Sequence, residues 1–467
     1  MTTLPRWRLR SEFARRLSEM YGREVPAYTT LVNVTGRINA EVLERSGRDA
    51  ERLGGIDRVT EERHGAIRVG TPAELRDVAG IFGALGMYPV GFYDLRDADT
   101  PVPVISTAFR PIEPEELARN PFRVFTSMLT SADPRFFDAD LRSQLEGFLA
   151  RRTLFPPELL HLADRAEREQ GLDERDASRF LELAVAGFEL SQEPVDKTWY
   201  EKLERISSVA ADIGGVRSTH INHLTPRVLD IDALYERMTD QGIAMIDTIQ
   251  GPPRWAGPDV LLRQTSFRAL AEPRRLRLAD GTVTTGTLRV RFGEVEARGI
   301  ALTREGRARH DRLVERTAEA AREVGATRGA ERAEVAAGVW RAGFPNTERG
   351  LIDENLGFFS YRPRADRPSG GPVPAGLARL LDEGWVSAEP IVYEDFLPSS
   401  AAGIFQSNLS GDGARDDSRD AAHYDQPWLA AVIDREIHDP FELYARQQNR
   451  SIRAVNAAIW GTRWPPH

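Results

Sequence analysis

The sequence contains no cysteine among its 467 residues. Disulfides, thiolate metal ligands and a cysteine nucleophile are therefore excluded, which leaves histidine, aspartate and glutamate as the available metal ligands. The sequence also has no apolar run near the ~18 residues that a transmembrane helix needs. Its arginine-rich, acid-containing start does not resemble a secretory signal. We therefore expect a cytoplasmic protein that has no membrane partner.

An excess of positive charge is also missing. The formal net charge is −9 and the sequence pI is about 5.6. Because binding to nucleic acid depends on clustered lysine and arginine, we expect no nucleic-acid partner. The hydrophobic content of 41% is ordinary for a globular protein, and the length exceeds what one hydrophobic core usually organises. Two or three structural units are predicted, with the oligomeric state left open.

The apolar patterning alternates between short β-rich stretches and helical stretches, which predicts an α+β fold. Within this pattern, residues 113–215 are expected to be helical. The predicted segments are an N-terminal helical arm at 1–54, a first β module at 55–112, a helical insertion at 113–215, a second β module at 216–305, and a helical and loop C-terminal region at 306–467 that completes the candidate site.

One six-residue pattern, His-x-x-x-Arg-Val, occurs at His64–Val69 and again at His223–Val228. Side chains alternate faces along a strand, so a histidine and the arginine four residues later share one face. Their Cα atoms would lie roughly 13 Å apart, which suits a small anion with two charged ends. The alternative for Arg68 and Arg227, with equal weight, is a surface ion pair.

A carboxylate follows the second motif in the segment from Leu288 to Glu296. Leu288, Val290 and Phe292 form one apolar face, and Glu294 continues it in phase. A carboxylate aimed at an apolar interior is unfavourable unless it is paired or binds a metal. Glu296 has the same phase, so strand parity does not choose between the two glutamates.

Two histidines and one carboxylate form a facial triad, a ligand set that leaves coordination positions open for substrate and oxygen. The sequence therefore predicts a metal site at His64, His223 and either Glu294 or Glu296. His220 competes with His223, but it lies outside the repeated pattern and has the opposite strand phase, so His223 is preferred. Ligand chemistry alone does not separate iron from manganese.

Several segments resemble the bacterial 2-oxoadipate dioxygenase/decarboxylase family, also called D-2-hydroxyglutarate synthase. The resemblance covers nearly the whole chain, and the segments that carry it are Arg63–Gly70, Thr219–Asp232, Arg263–Arg268, Phe292–Thr303 and Asp395–Leu409. That family is distantly similar to the vicinal oxygen chelate superfamily. The resemblance thus implies paired βαβββ modules in a cupped mixed sheet around a metal, with helical additions. A Glu-x-x-x-Arg pattern in that superfamily corresponds to Glu294 and Arg298 and favours Glu294 over Glu296.

The resemblance also implies the chemistry: Fe(II), oxygen and a 2-oxo dicarboxylic acid, with 2-oxoadipate giving D-2-hydroxyglutarate and carbon dioxide in lysine catabolism. It implies that Arg68 clamps the distal carboxylate and that Ser400 helps to hold the substrate. Ser399 stands where the family carries an apolar residue, which puts the pocket shape in doubt. Arg263 and Gln264 are weaker candidates for supporting the site. The alternatives are a non-redox metal-dependent isomerase or lyase on a related keto acid, and a non-catalytic binding protein.

Overall fold

The structure is a computed structural model, and it describes residues 3–98, 101–269, 271–289, 291–326, 329–368, 372–397 and 415–460. Its strands are β1 Thr3–Pro5, β2 Arg63–Val69, β3 Tyr88–Asp94, β4 Val104–Arg110, β5 Arg123–Leu129, β6 Gly171–Asp173, β7 Val195–Asp196, β8 His223–Pro226, β9 Leu262–Phe267, β10 Glu272–Arg277, β11 Val283–Leu288, β12 Gly293–Arg298, β13 Phe359–Pro363 and β14 Val386–Pro390.

Helices surround these strands, and a 3₁₀ turn lies at Gly47–Glu51. The helices are α1 Arg6–Glu24, α2 Pro26–Ser46, α3 Ile56–Glu61, α4 Pro72–Ala84, α5 Pro114–Arg119, α6 Ala139–Leu149, α7 Pro157–Glu169, α8 Glu174–Ala186, α9 Lys197–Glu204, α10 Ser208–Gly214, α11 Ile231–Asp240, α12 Arg304–Glu323, α13 Gly329–Gly343, α14 Glu348–Asp353, α15 Leu377–Asp382, α16 Gln426–Ile433 and α17 Pro440–Trp460. Within the described residues, no helix combines the length and the apolar character needed to cross a bilayer.

The central sheet has the strand order β3-β4-β5-β2-β8. Its first four strands and helix α4 form one βαβββ unit in chain order, in which β2 pairs with β5 in parallel and the other neighbours are antiparallel. Helix α4 begins at a capping box, because Thr71 accepts a hydrogen bond from the Glu74 amide and Glu74 accepts one from the Thr71 amide. This unit supplies half of the candidate site.

A second βαβββ unit repeats the arrangement with β8, α11, the segment 245–250, β9 and β12. Strand β12 pairs antiparallel with β9, and β9 is bridged antiparallel to residues 245 and 250. Strand β8 meets β12 in parallel at the bridge between Arg227 and Glu296. The two units join where β2 and β8 run antiparallel, with Ala66 opposite His223. The expected paired modules are therefore present, and the β10–β11 hairpin is an insertion in the second one.

The N-terminal arm fixes the join between the two units. The hydroxyl of Tyr21 on α1 donates to the backbone carbonyls of Asn222, 3.1 Å away, and Phe292, 2.9 Å away. Asn39 on α2 donates to the carbonyl of Arg227 and accepts from the amide of Leu229. The arm therefore holds the starts of β8 and β12, the two strands that carry His223 and Glu294.

Two expectations about local structure are wrong. Residues 113–215 are not helical throughout, because 123–129 form strand β5 inside the central sheet. Leu288 and Glu294 do not share a strand, because β11 ends at Leu288 and β12 begins at Gly293 in a different sheet. Val290 lies outside the described residues. The five segment boundaries stay a prediction.

A network of buried charges lies between the two units and centres on Glu62. Its carboxylate accepts from Arg123 at 2.5 Å and from Arg227 at 3.0 Å, and all three side chains are at most 1% exposed. Burial alone would raise the pKa of Glu62, but Arg123 and Arg227 hold this pKa well below its ordinary value. The network therefore contains a fully ionised carboxylate in the interior.

Replacing Glu62→Gln should lower the free energy of unfolding by about 3–5 kcal/mol, because it leaves Arg227 buried without its ion-pair partner and removes one of the carboxylates that pair with Arg123. Glu61 is the matched control, since it is the preceding residue and is exposed. Glu61→Gln should change stability by less than about 0.5 kcal/mol. Urea denaturation followed by circular dichroism measures both. Equal stability of the two variants would show that the network does not stabilise the fold.

Candidate metal centre

His64, His223 and Glu294 come together at the join of the two units. Each is buried and offers a ligand atom, and these atoms all lie within 4.8 Å of one another. One Glu294 oxygen, Oε2, is 3.3 Å from Nε2 of His64 and 3.5 Å from Nε2 of His223. In the described part of the chain this is the one such group of three histidine or acidic side chains. The three predicted ligands are therefore adjacent and could hold one metal ion.

Sheet pairing explains why the two histidines meet. On antiparallel neighbours, directly opposed residues share a face, and His64 lies opposite Thr225 while Ala66 lies opposite His223. Both histidines therefore project from the same face of the central sheet. Their ring centroids are 5.6 Å apart. Glu294 reaches this face from β12, the neighbour of β8.

Glu294 differs from the other buried carboxylates around it, because no arginine or lysine of the described residues forms an ion pair with it. Its side-chain contacts are the two histidines and the hydroxyl of Thr225, which donates to Oε2 at 3.4 Å. The residue is 5% exposed. A buried carboxylate needs a cation or a full set of hydrogen-bond donors. A divalent metal ion on Oε2 would supply the missing charge.

Glu296 fills a different role on the same strand. Its carboxylate lies 3.1 Å from Nδ1 of His64, on the opposite side of the ring from Glu294. Arg298 donates to both of its oxygens, at 2.6 and 3.0 Å. Burial alone would raise the pKa of Glu296, but Arg298 and His64 lower this pKa to about 2. Glu296 is therefore an ionised partner that orients His64 and leaves Nε2 directed at the metal position.

The two histidines differ in electrostatics. Burial lowers the pKa of His223 to about 4, so its ring is neutral at neutral pH and has a free lone pair for a metal. Burial alone would lower the pKa of His64 as well, but Glu296 and Glu294 raise this pKa above its ordinary value. These two carboxylates favour positive charge at His64, which is the charge that a metal ion would provide there.

Arg68 is buried beside this group and not on the surface. It is 4% exposed, forms an ion pair with Asp212 on α10, and contributes to lowering the pKa of His223. Asp212 also accepts from Asn222 at 3.0 Å. The surface alternative is therefore wrong for Arg68. It is wrong for Arg227 too, whose 1% exposed side chain donates to Glu62 and to the carbonyl of Leu53.

The competing and supporting candidates take other positions. His220 lies with Nε2 3.4 Å from Oδ1 of Asp212 and is not part of the three-residue group. Arg263 donates to both oxygens of Asp232 and to the carbonyl of Pro252, which is a structural role. Gln264 lies opposite Glu296 in the β9–β12 pair and is 6% exposed. Ser399 and Ser400 lie outside the described residues.

Aromatic rings enclose the histidines. The ring centroid of Phe396 lies 5.0 Å from that of His64 and 5.2 Å from that of Phe125. The ring centroid of Phe292 lies 5.2 Å from that of His223. These contacts exclude water from the two imidazoles and lower the local dielectric. Sequence analysis did not identify Asp212 or Phe396 as parts of the site, because each reaches it through contacts that no local pattern marks.

The chain matches known proteins over most of its length. Residues 13–408 match the sequence profile described as 2-oxoadipate dioxygenase/decarboxylase. The 2-oxoadipate dioxygenase/decarboxylase of Mycobacterium tuberculosis is 56% identical over 436 residues, which cover 93% of this chain and 95% of the relative. The enzyme of that name from Pseudomonas putida is 40% identical over 459 residues, which cover 97% of each chain.

A solved structure shares this fold. It is the hydroxyglutarate synthase of Pseudomonas putida in complex with 2-oxoadipate, with a TM-score of 0.83 and 36% identity. The superposition covers 98% of this chain and 99% of that one. The likeness extends over the whole described fold and includes both βαβββ units.

The geometry predicts distinct effects of four substitutions on metal binding. His223→Asn and Glu294→Gln should abolish stoichiometric binding, because each removes a ligand atom. Glu296→Gln should keep the stoichiometry and weaken the affinity about 10–100-fold, since it only orients His64. His220→Asn is the control and should bind like the unaltered chain. Isothermal titration with Mn(II) measures all four. Loss of binding in His220→Asn, or equal losses in Glu296→Gln and Glu294→Gln, would contradict this assignment.

Proposed function

The chain belongs to the 2-oxoadipate dioxygenase/decarboxylase family, and on that premise we propose that it uses Fe(II) and oxygen to convert 2-oxoadipate into D-2-hydroxyglutarate and carbon dioxide. The observation that carries the proposal is the buried group of His64, His223 and Glu294, in which Glu294 has no arginine partner among the described residues. The place of this reaction in lysine catabolism stays a prediction.

The substrate is supported by the similar protein whose structure contains 2-oxoadipate. That compound carries a carboxylate and a keto group at one end and a second carboxylate at the other. The site offers matching chemistry at two places, namely the ligand group and the guanidinium of Arg68. Both are buried, so each would bind a charged end of the substrate away from water, where ionic interactions are strong.

The residues present fit an Fe(II) ion, because two imidazoles and one carboxylate are the donor set of non-haem iron oxygenases. Bound Fe(II) would supply sites for the 2-oxo acid and for oxygen. The chain's own groups have preparatory roles. Glu296 holds the His64 ring, the neutral His223 presents a lone pair, and Phe396 excludes water beside His64.

Arg68 is the proposed clamp for the distal carboxylate. A guanidinium can bind a carboxylate through two parallel hydrogen bonds, which fixes both position and orientation. Asp212 already binds one side of Arg68 and is itself held by Asn222. This pairing limits the rotation of the buried guanidinium. The distance between clamp and ligand group would then select the chain length of the substrate. Ser400 remains a proposed substrate contact on the resemblance alone.

Family membership favours this reaction over both alternatives. A non-redox isomerase or lyase would use the same ligands without consuming oxygen. A non-catalytic binding protein would have no need for two buried imidazole nitrogens around one buried carboxylate oxygen. Oxygen consumption separates the proposal from both.

The chain loaded anaerobically with Fe(II) should consume one oxygen molecule per 2-oxoadipate and form one 2-hydroxyglutarate. An oxygen electrode and chiral chromatography of the product measure this. The comparison substrate 2-oxoglutarate, one methylene shorter, should react more slowly. His64→Ala is the control and should show neither uptake nor product. Turnover of 2-oxoadipate without oxygen uptake would support the non-redox alternative instead.

Arg68→Leu should lower kcat/KM for 2-oxoadipate by at least about 100-fold while Fe(II) binding persists, because a charge-assisted bidentate contact is lost. The same variant leaves Asp212 buried without its cation, which could disturb the fold. The double variant Arg68→Leu with Asp212→Asn removes that charge. If the clamp assignment is correct, the double variant recovers stability but not activity. Recovery of activity in the double variant would assign Arg68 a purely structural role.

A further inference from the structure

A large cavity opens between helix α6 and strand β10. Its volume is about 850 Å³, and α6, the segment 190–199, residues 215–220 and β10 line it. None of the three candidate metal ligands lines this cavity, so it is separate from the metal centre. His220 does line it.

Positive charge dominates the cavity wall. Four arginines line it, Arg151, Arg217, Arg274 and Arg277, against two carboxylates, Glu193 and Asp196. In the described part of the chain, no carboxylate forms an ion pair with any of the four. Elsewhere in this acidic chain, arginines are extensively paired, as at Arg123, Arg165 and Arg298. An unpaired positive cluster in a concave site attracts anions.

Arg274 provides the most specific observation. It is 9% exposed, donates from Nη1 to the carbonyl of Ser191 at 3.0 Å, and has no hydrogen-bond partner at Nε. Burial lowers its pKa, the nearby carboxylate of Glu272 partly offsets this effect, and Arg291 lowers the pKa further. A buried guanidinium with an unsatisfied donor is unfavourable unless an acceptor reaches it. The cavity that it lines gives an anion access to it.

The cavity is linked to the proposed clamp by direct contacts. His220, in its wall, lies 3.4 Å from Asp212, and Asp212 forms the ion pair with Arg68. The carboxylate of Asp212 therefore contacts both a residue of the cavity wall and the proposed clamp.

We infer that this cavity is a second anion-binding site, for a small organic dianion with carboxylate or phosphate groups, that borders the clamp through His220 and Asp212. The inference goes beyond the proposed function, because it concerns binding and holds whether or not the chain turns over 2-oxoadipate. The two sources of such a dianion are the substrate itself and a separate phosphorylated or carboxylated metabolite.

Isothermal titration of the full-length chain with adipate and with inorganic phosphate at low salt tests this inference. Adipate has both carboxylates of the proposed substrate but no keto group. Arg277→Gln should weaken binding of at least one probe about threefold or more, because it removes a partly solvated charge. Arg274→Gln should weaken it about tenfold or more, because a buried charged donor is lost. Arg275→Gln is the matched control, since it removes the same charge from β10 at a position that does not line the cavity.

Equal affinities in Arg275→Gln and Arg277→Gln would overturn the inference, because binding would then follow net charge alone. One supporting result is that adipate binds more tightly than phosphate and that Arg277→Gln, unlike Arg275→Gln, lowers kcat/KM for 2-oxoadipate. This result would identify the substrate as the ligand of the site. The other supporting result is that phosphate binds more tightly than adipate and that Arg277→Gln leaves turnover unchanged in the absence of phosphate. This result would point to a separate metabolite as the ligand. These binding results stand even if no oxygen is consumed.

Discussion

The charge of one buried carboxylate, Glu294, is the constraint on which the centre of this structure depends. Ionised groups in an interior are strongly unfavourable unless an opposite charge lies close. Around the join of the two units, Glu62, Glu296 and Asp212 each meet that requirement with an arginine. Glu294 meets only histidines and a threonine in the described structure. Among the described residues, Glu294 is therefore the carboxylate at this join that has no arginine partner. The nitrogen atoms of His64 and His223 converge on it.

The repeated motif shows how one pattern can serve two purposes. Both copies place a histidine on the inner face of a central strand, and both histidines join the ligand group. The arginines then differ, since Arg68 pairs with Asp212 on α10 while Arg227 pairs with Glu62 inside the charge network. One half of the pseudo-symmetric sheet thus keeps its arginine near the candidate metal ligands. The other uses its arginine to hold the two units together.

The sequence predicted much of the site because its ligands follow local rules. The spacing in the two motifs depends only on strand alternation. The phase argument that pointed to Glu294 was wrong in its premise, because Leu288 and Glu294 lie on different strands. Glu294 and Glu296 could not be separated in that way, because both point to the same face. What distinguishes them is that Arg298 takes both oxygens of Glu296, while the histidines face Glu294. The sequence also did not predict that Arg68 pairs with Asp212, because the two residues are 144 positions apart in the chain.

Local sequence signals also predicted part of the fold. The prediction failed where a strand lacks such signals. Strands β2, β3 and β4 contain β-branched or aromatic residues near glycine and proline, and they lie within the predicted first β module at 55–112. Strand β5 was missed because helices flank it, although its seven residues are fully buried and include Val124 and Thr126. A strand covered on both faces has no polar alternation, so periodicity does not separate it from a buried helix.

The C-terminal region packs against the candidate metal ligands through the segment that ends at Phe396. Glu394 accepts from Arg123 at 2.8 Å, and Asp395 accepts from Arg110 at 2.7 and 3.1 Å. These two ion pairs tie the residues just before Phe396 to strands β5 and β4. Its ring then lies against His64 and 5.9 Å from the Arg298 guanidinium. The central sheet positions the ligands, but the low dielectric that strengthens their charges depends on this anchored segment.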